Sequence, residues 1–109
     1  MKHDTEQACL DACTACAEAC ERCAAACLKE DDVTMLARCI VLDLDCAAIC
    51  RLSASYIAHG SESAASACVL CEDVCRRCAD ECGRHEHAHC RRCAKACLAC
   101  AEACAAMSA

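Results

Sequence analysis

The sequence predicts an all-α fold, an antiparallel up-down-up-down four-helix bundle with a cysteine-lined core. Proline is absent from the 109 residues, only two glycines occur, and alanine is abundant, so local propensity favours helix almost everywhere. Cysteines recur at every third or fourth residue, which is the spacing of one buried helix face. Short polar segments divide the chain into four such stretches, and short connections make neighbouring helices antiparallel. The length predicts one domain spanning residues 1–109.

Capping residues delimit the first two helices. Asp4–Gln7 resembles a capping box, which predicts that helix 1 begins there and runs to about Leu28. Asp31 or Asp32 is expected to cap helix 2, which continues to the residue before Gly60. A glycine at that point can adopt the left-handed conformation that ends a helix.

The last two helices are delimited in the same way. Ser61 is expected to cap helix 3, and Gly83 to terminate it near Cys82. The polar segment HEHAH then leads into helix 4, which is predicted from about Glu86 to Met107.

The cysteines follow the spacing of a buried seam. In the stretch ACLDACTACAEACERCAAAC of helix 1 they are four, three, four, three and four residues apart, and helices 3 and 4 show the same alternation. These are the a and d positions of a bundle, where leucine and isoleucine normally pack. The cysteines are therefore the predicted core and the candidate metal ligands: Cys9, Cys13, Cys16, Cys20, Cys23, Cys27, Cys39, Cys46, Cys50, Cys68, Cys71, Cys75, Cys78, Cys82, Cys90, Cys93, Cys97, Cys100 and Cys104.

Helix 2 departs from this pattern. Its three cysteines are spaced by seven and then four residues, so one position of the seam lacks a thiol, and that position holds Asp43. The rest of the helix is apolar on several faces, with Ile40, Leu44 and Tyr56 among the outer residues. A helix that is apolar around most of its circumference is buried on more than one side. We therefore expect the outer face of helix 2 to meet another subunit.

The sequence around the cysteines indicates a reducing compartment. The N-terminal stretch MKHDTEQACLDAC has no apolar segment or cleavage site of a secretory signal, so a cytoplasmic location is expected. Thiols stay reduced there, and dense cysteines are more often metal-binding than cross-linked. No apolar run is long enough to span a membrane. The net charge of −6, with scattered Lys and Arg, disfavours nucleic acid as a partner.

Several roles for the cysteines compete. Cysteine can replace alanine as a small buried residue. A core made of cysteine lacks the bulky side chains that stabilise a small bundle, and metal binding would offset that loss of stability. Iron–sulfur runs place their ligands in loops followed by proline, which this chain lacks. A thiol–disulfide enzyme usually carries an exposed CxxC beside a βαβ pattern, and no strand is predicted. Metal binding without enzymatic activity is therefore expected.

Charge and geometry favour Cu(I) as the metal. Structural zinc leaves two negative charges on each tetrathiolate, whereas one Cu(I) per thiolate gives a neutral interior. Cu(I) is soft, accepts low coordination numbers and can be bridged by thiolates along a helix. The nineteen cysteines then predict many Cu(I) ions per chain, about one for each cysteine. The alternative is a zinc or general soft-metal thiolate buffer resembling metallothionein.

The alternating CxxxC and CxxC spacings of helices 1, 3 and 4, together with the segment CGRHEHAHC, resemble the cytosolic bacterial copper-storage proteins. The resemblance covers essentially the whole chain. It implies a cytoplasmic four-helix bundle that fills with many Cu(I) ions through its inward cysteine thiolates and assembles as a homotetramer. Copper donor or acceptor proteins could serve as partners.

The end of the predicted bundle that holds the helix 1–2 and helix 3–4 connections is rich in metal-binding groups. We call it the histidine end. Imidazole and carboxylate groups there could receive copper and pass it inward, or complete its coordination where the seam lacks a thiol. Met35 lies beside the seam of helix 2, and Met107 continues the seam of helix 4 at the opposite end, where a core-capping role is expected. The candidate ligands other than cysteine are Asp43, His85, His87 and His89.

Overall fold

Residues 2–108, the part of the chain that the computed structural model describes, form four α-helices and no strand. The helices are α1 (Lys2–Cys27), α2 (Ala37–Ala58), α3 (Ala64–Cys82) and α4 (Ala88–Ala106). Both α1 and α3 pack against α2 and against α4, so the helices form a four-cornered bundle. The bundle is 45 Å long and 17 Å across. The predicted all-α four-helix architecture is confirmed.

The end of α2 carries the predicted glycine terminator. Gly60 has a φ of 70°, in the left-handed region. The Ser61 amide donates to the Tyr56 carbonyl oxygen at 2.9 Å, and the Gly60 amide donates to the Ile57 carbonyl oxygen at 3.2 Å. This pair of bonds is the Schellman motif, which satisfies the last carbonyl groups of a helix.

The start of α2 differs from the prediction. A single turn of 3₁₀-helix, Val33–Leu36, precedes the α-helix. Asp32 stands at the cap of this turn, but within the described structure its side chain bonds no backbone amide of the turn and contacts His87 instead. The Leu36 side chain is fully buried. Tertiary contacts, rather than a side-chain cap, therefore hold the beginning of this helix.

The predicted capping box of helix 1 is also replaced. α1 begins before Asp4, which therefore lies inside the first turn. Gln7 does not reach back to the cap, because its side-chain amide donates to Asp11 Oδ1 at 2.9 Å. This i,i+4 bond supports the exposed face of the helix.

The boundaries of the last two helices lie within a few residues of their predicted positions. The Ser61 hydroxyl accepts a hydrogen bond from the Ser63 amide at 3.0 Å, and this local turn delays the start of α3 to Ala64. Gly83 ends α3 as predicted, but with a right-handed φ of −66°. α4 begins at Ala88, two residues later than predicted.

The core of the bundle consists mainly of sulfur. All nineteen cysteines are 0 or 1 % exposed. Small residues such as Ala17 and Ala101 fill the space beside them, so the helices approach closely around the thiols. The predicted cysteine-lined core is confirmed.

The outer face of α2 is apolar, as predicted. Val41, Leu44 and Leu52 are exposed, and Ile40 and Tyr56 are partly buried. These five residues define what we call the α2 face. An apolar surface of this kind marks an interaction site in many proteins, and its role as a subunit interface stays a prediction. No helix in the described region has the length and hydropathy that crossing a membrane requires.

Candidate metal centre

The cysteine sulfur atoms form one continuous ladder along the bundle. Cys46 illustrates the contacts: its Sγ atom lies 3.7 Å from that of Cys16 on α1, 3.5 Å from Cys75 on α3 and 3.9 Å from Cys97 on α4. The Sγ atom of Cys50, one turn along the same helix, is also 3.9 Å away. All nineteen thiols are free, so the ladder consists of separate sulfur ligands rather than disulfides.

Neighbouring sulfurs form overlapping groups of four. Within each group the sulfur atoms all lie within 4.8 Å of one another. Three successive groups are Cys16, Cys46, Cys50, Cys75; then Cys16, Cys20, Cys46, Cys97; then Cys20, Cys78, Cys93, Cys97. Consecutive groups therefore share two cysteines. A metal ion in one group uses sulfur atoms that also belong to the next, which is the arrangement expected for bridging thiolates.

Burial favours the protonated form of thiols at both ends of the metal-free ladder. It raises the pKa of Cys27 to about 11 and that of Cys68 to about 12, and it also raises the pKa of Cys90. These residues lie near the two ends of the ladder, and the cause is the cost of placing an anion in an apolar core. A metal ion that binds these three sulfurs must therefore displace their protons.

Asp43 occupies the predicted gap in the α2 seam and is fully buried. Thiols surround its carboxyl group: Cys93, Cys78 and Cys82 donate to Oδ1 at 3.1, 3.2 and 3.4 Å, and Cys39 donates to Oδ2 at 3.9 Å. Burial raises the pKa of Asp43 to about 8. The carboxyl group is therefore mostly neutral at pH 7 and adds little buried charge to the metal-free core.

His89 has the geometry of a metal ligand at the histidine end. Its Nδ1 atom lies 3.5 Å from Cys23 Sγ, 3.6 Å from Cys90 Sγ and 3.9 Å from Cys27 Sγ. Its Nε2 atom lies 2.7 Å from a carboxylate oxygen of Glu30. Because a carboxylate only accepts, Nε2 carries the proton, and the Nδ1 lone pair of the neutral ring faces the sulfurs.

His85 lies at the same end but pairs with carboxylate rather than sulfur. Its Nε2 atom is 2.8 Å from Oε2 of Glu81, a buried residue on α3. Arg38 of α2 donates to Oε1 of Glu81 at 2.9 Å. His85 and Arg38 together hold the pKa of Glu81 below its ordinary value. This cluster fastens the end of α3 to the start of α2.

His87 stacks on the ring of His89, with 5.3 Å between ring centroids. Its two nitrogen atoms lie 3.0 Å from Asp32 and 3.2 Å from Glu30. The structure thus places one of the three predicted histidines, His89, against thiols. His87 and His85 precede it by two and four residues, and their roles as ligands stay predictions.

The two candidate methionines have different environments. Met35 is 75 % exposed, so it lies at the surface of the histidine end. Met107 is partly buried and packs against the core at the opposite end, as a capping residue would.

Three residues of this region did not follow from the sequence. Glu30 and Glu81 hold the imidazoles, and no local pattern marks either of them. Ser53 is fully buried, and its position three residues after Cys50 continues the four-and-three spacing of the seam. Extending that spacing beyond the last cysteine of α2 would have identified it.

Comparison with known proteins also relates this chain to copper storage proteins. Residues 2–109 match the family described as Csp, copper storage protein. The uncharacterized cysteine-rich protein YhjQ of Bacillus subtilis (strain 168) is 45% identical over 83 residues, which are 76% of this chain and 77% of that protein.

Two solved structures show how far the likeness extends. The Cu(I)-bound copper storage protein BsCsp3 is 44% identical and superposes with a TM-score of 0.92, over 96% of this chain and 99% of that one. A cytosolic copper storage protein from Streptomyces lividans, solved with five coppers, is 36% identical with a TM-score of 0.95, over 99% of this chain and 96% of that one. The sulfur ladder, the matching fold and the family match over residues 2–109 agree, and this chain belongs to the copper storage protein family.

Proposed function

We propose that this chain is a single storage domain that sequesters many Cu(I) ions in its core, about one per cysteine, and performs no catalytic turnover. The observation that carries the proposal is the continuous ladder of nineteen buried, free thiols. A cytosolic location is proposed because the relative from Streptomyces lividans is a cytosolic protein and the thiols are free.

Charge balance supports a ratio near one ion per thiol. A buried thiolate is costly unless a cation neutralises it, and a monovalent ion on each thiolate leaves the core uncharged. Sulfur atoms 3.5–3.9 Å apart across helices are close enough to bind a shared ion, with each sulfur also bound to the next ion along the axis.

Zinc buffering is the second candidate, because groups of four sulfurs are what tetrahedral zinc requires. The overlap of these groups argues against it. Two zinc ions in consecutive groups would compete for the two shared cysteines, and each tetrathiolate would retain two negative charges in the core.

We propose that copper enters and leaves at the histidine end. His89 is partly exposed and presents Nδ1 to Cys23 and Cys90, so an ion held by the imidazole lies one step from the sulfur ladder. Asp43, one turn further in, would make weak or transient contacts, since a carboxylate is a poor ligand for Cu(I). A donor or acceptor protein would therefore dock at this end.

We also propose that the chain assembles as a homotetramer through the α2 face. The apolar side chains of that face would be removed from water by another copy of the chain.

An anaerobic titration with Cu(I) and a competing chelator tests the storage proposal. Saturation near nineteen ions per chain is expected, and a parallel titration with Zn²⁺ should saturate near one ion per four cysteines. Saturation with Cu(I) at four or five ions would contradict storage. A variant in which the seam cysteines are replaced by serine controls for surface binding, and it should lose nearly all capacity.

A further inference from the structure

Ser53 is a buried hydroxyl within the sulfur seam. The seam of α2 reads Cys39, Asp43, Cys46, Cys50 and Ser53, so the serine occupies the next position where a thiol would be expected. Its side chain is 0 % exposed, and its Oγ atom has no hydrogen-bond partner among the described residues. A serine inside a helix often bonds the carbonyl group four residues back, and Ser53 does not.

The register of the bundle places Ser53 at the level of the last thiols. Cys50 Sγ lies 3.7 Å from Cys71 Sγ on α3 and 3.8 Å from Cys100 Sγ on α4. One turn further along α2, the antiparallel α3 reaches Cys68 and the parallel α4 reaches Cys104.

Helix α1 completes this layer with Cys9, whose Sγ atom lies 3.7 Å from Cys104 Sγ. Cys9 is also a polar neighbour of the Cys68 thiol. We call the layer of Cys9, Ser53, Cys68 and Cys104 the far layer, because it lies at the end of the bundle opposite the histidine end.

An unpaired hydroxyl in this position destabilises the metal-free protein, since a buried polar group without a partner loses its hydrogen bonds to water. Alanine or cysteine would fit the same helix position without that loss. The hydroxyl oxygen is a poor ligand for soft Cu(I), so direct coordination does not explain it. The hydroxyl proton, however, can be donated to a sulfur that becomes an anion when copper replaces its proton.

The end of a ladder is where such a donor matters most. A sulfur in the middle has further sulfur layers on both sides and can be bridged by ions in each direction. A sulfur of the far layer has such a layer on one side only, with Met107 packed against the core nearby. It is therefore shared by fewer ions and keeps more negative charge.

We propose that the far layer is a terminal Cu(I) site made of three thiolates and the Ser53 hydroxyl, in which the hydroxyl donates a hydrogen bond to a copper-bound sulfur. Copper binding releases the thiol proton to solvent, the hydroxyl proton stays on Ser53, and no electron is transferred. Ser53 thus acts as a positioning residue for the ions at this end. The inference rests on the proposed storage function.

The test compares three variants of the full chain in anaerobic Cu(I) titrations with a competing chelator. Ser53→Ala should keep the total capacity within about one ion, but the few ions of the far layer should bind about 10- to 100-fold more weakly, the range for a lost hydrogen bond to a charged group. Ser53→Cys should bind about one additional ion, because it extends the seam by one thiol. The control is Ser55→Ala, on an exposed position of the same helix, and it should match the parent.

Denaturation of the metal-free proteins separates this role from a structural one. Ser53→Ala should unfold at the same or a higher denaturant concentration than the parent, because it removes an unpaired buried group. If Ser53→Ala binds every ion as tightly as the parent does, this inference is overturned and the storage function is not. A lower unfolding midpoint with uniform weakening of all ions would also overturn it. A parent that saturates at four or five ions would overturn the storage function and this inference together.

Discussion

Replacing Asp43 by asparagine should remove a pH dependence from the stability of the metal-free protein. The ordinary pKa of this carboxyl group is 3.8, and burial among thiols raises it to about 8 in the folded chain. Between these two pH values the folded state keeps a proton that the unfolded state has lost. The contribution of Asp43 to the free energy of unfolding is therefore largest below pH 4. It falls as the pH rises and levels off above about pH 8.

The magnitude follows from the two pKa values. Each pH unit between them changes the free energy of unfolding by about 1.4 kcal/mol, so the parent should lose on the order of 3–4 kcal/mol between pH 5 and pH 8 through Asp43. Asparagine is of similar shape and cannot ionise, so Asp43→Asn should lack this component. Thiols of the unfolded chain begin to ionise near pH 8 in both proteins, and the difference between them isolates the carboxyl group.

The assay is urea unfolding followed by circular dichroism, under anaerobic and metal-free conditions, at several pH values from 5 to 8. The matched control is Asp45→Asn, which changes an exposed carboxylate two residues away on the same helix and should follow the parent. Parallel curves for Asp43→Asn and the parent, or a parent that gains stability relative to the variant as pH rises, would refute the reasoning.

Three further predictions concern loading, folding and assembly. His89→Ala should slow copper transfer to and from a chelator by about tenfold while changing capacity by a few ions at most. The control variant His85→Ala should transfer copper faster than His89→Ala, because His85 pairs with a carboxylate and not with sulfur. Equal rates for the two variants would contradict the role given to His89. The reduced, metal-free protein should already give a helical circular dichroism spectrum, because neutral thiols pack as small apolar groups, and a coil spectrum would show otherwise. Leu44→Glu on the α2 face should reduce the mass measured by light scattering, whereas Leu98→Glu, at an exposed leucine of α4, should not; a parent that is already monomeric would contradict the interface.

The periodicity of the sequence was sufficient to predict the core. Cysteines at alternating intervals of three and four residues can share one face only in a helix, and the same spacing located Asp43 in the gap of α2. Gly60 was predictable because the left-handed conformation at a helix end strongly favours glycine.

The connections were harder to predict, because their side chains choose partners that are distant in sequence. Asp32 contacts His87, 55 residues away, instead of capping a helix. Glu30 and Glu81 likewise determine which imidazole faces the sulfurs, and those pairings exist only once the helices have packed. Ser53 lies beyond the last cysteine of α2, so the cysteine spacing alone does not mark it.

Consecutive four-thiol groups share sulfurs along the bundle axis. The proposed number of bound metal ions therefore depends on the length of the bundle rather than on the volume of a separate cavity. Each heptad adds two inward positions to each of four helices, so lengthening the bundle by one heptad would add about eight thiols and about 10 Å. The 17 Å cross-section would stay the same. A chain of this kind can therefore change how much metal it holds by inserting or deleting whole heptads in register, without the design of any new site.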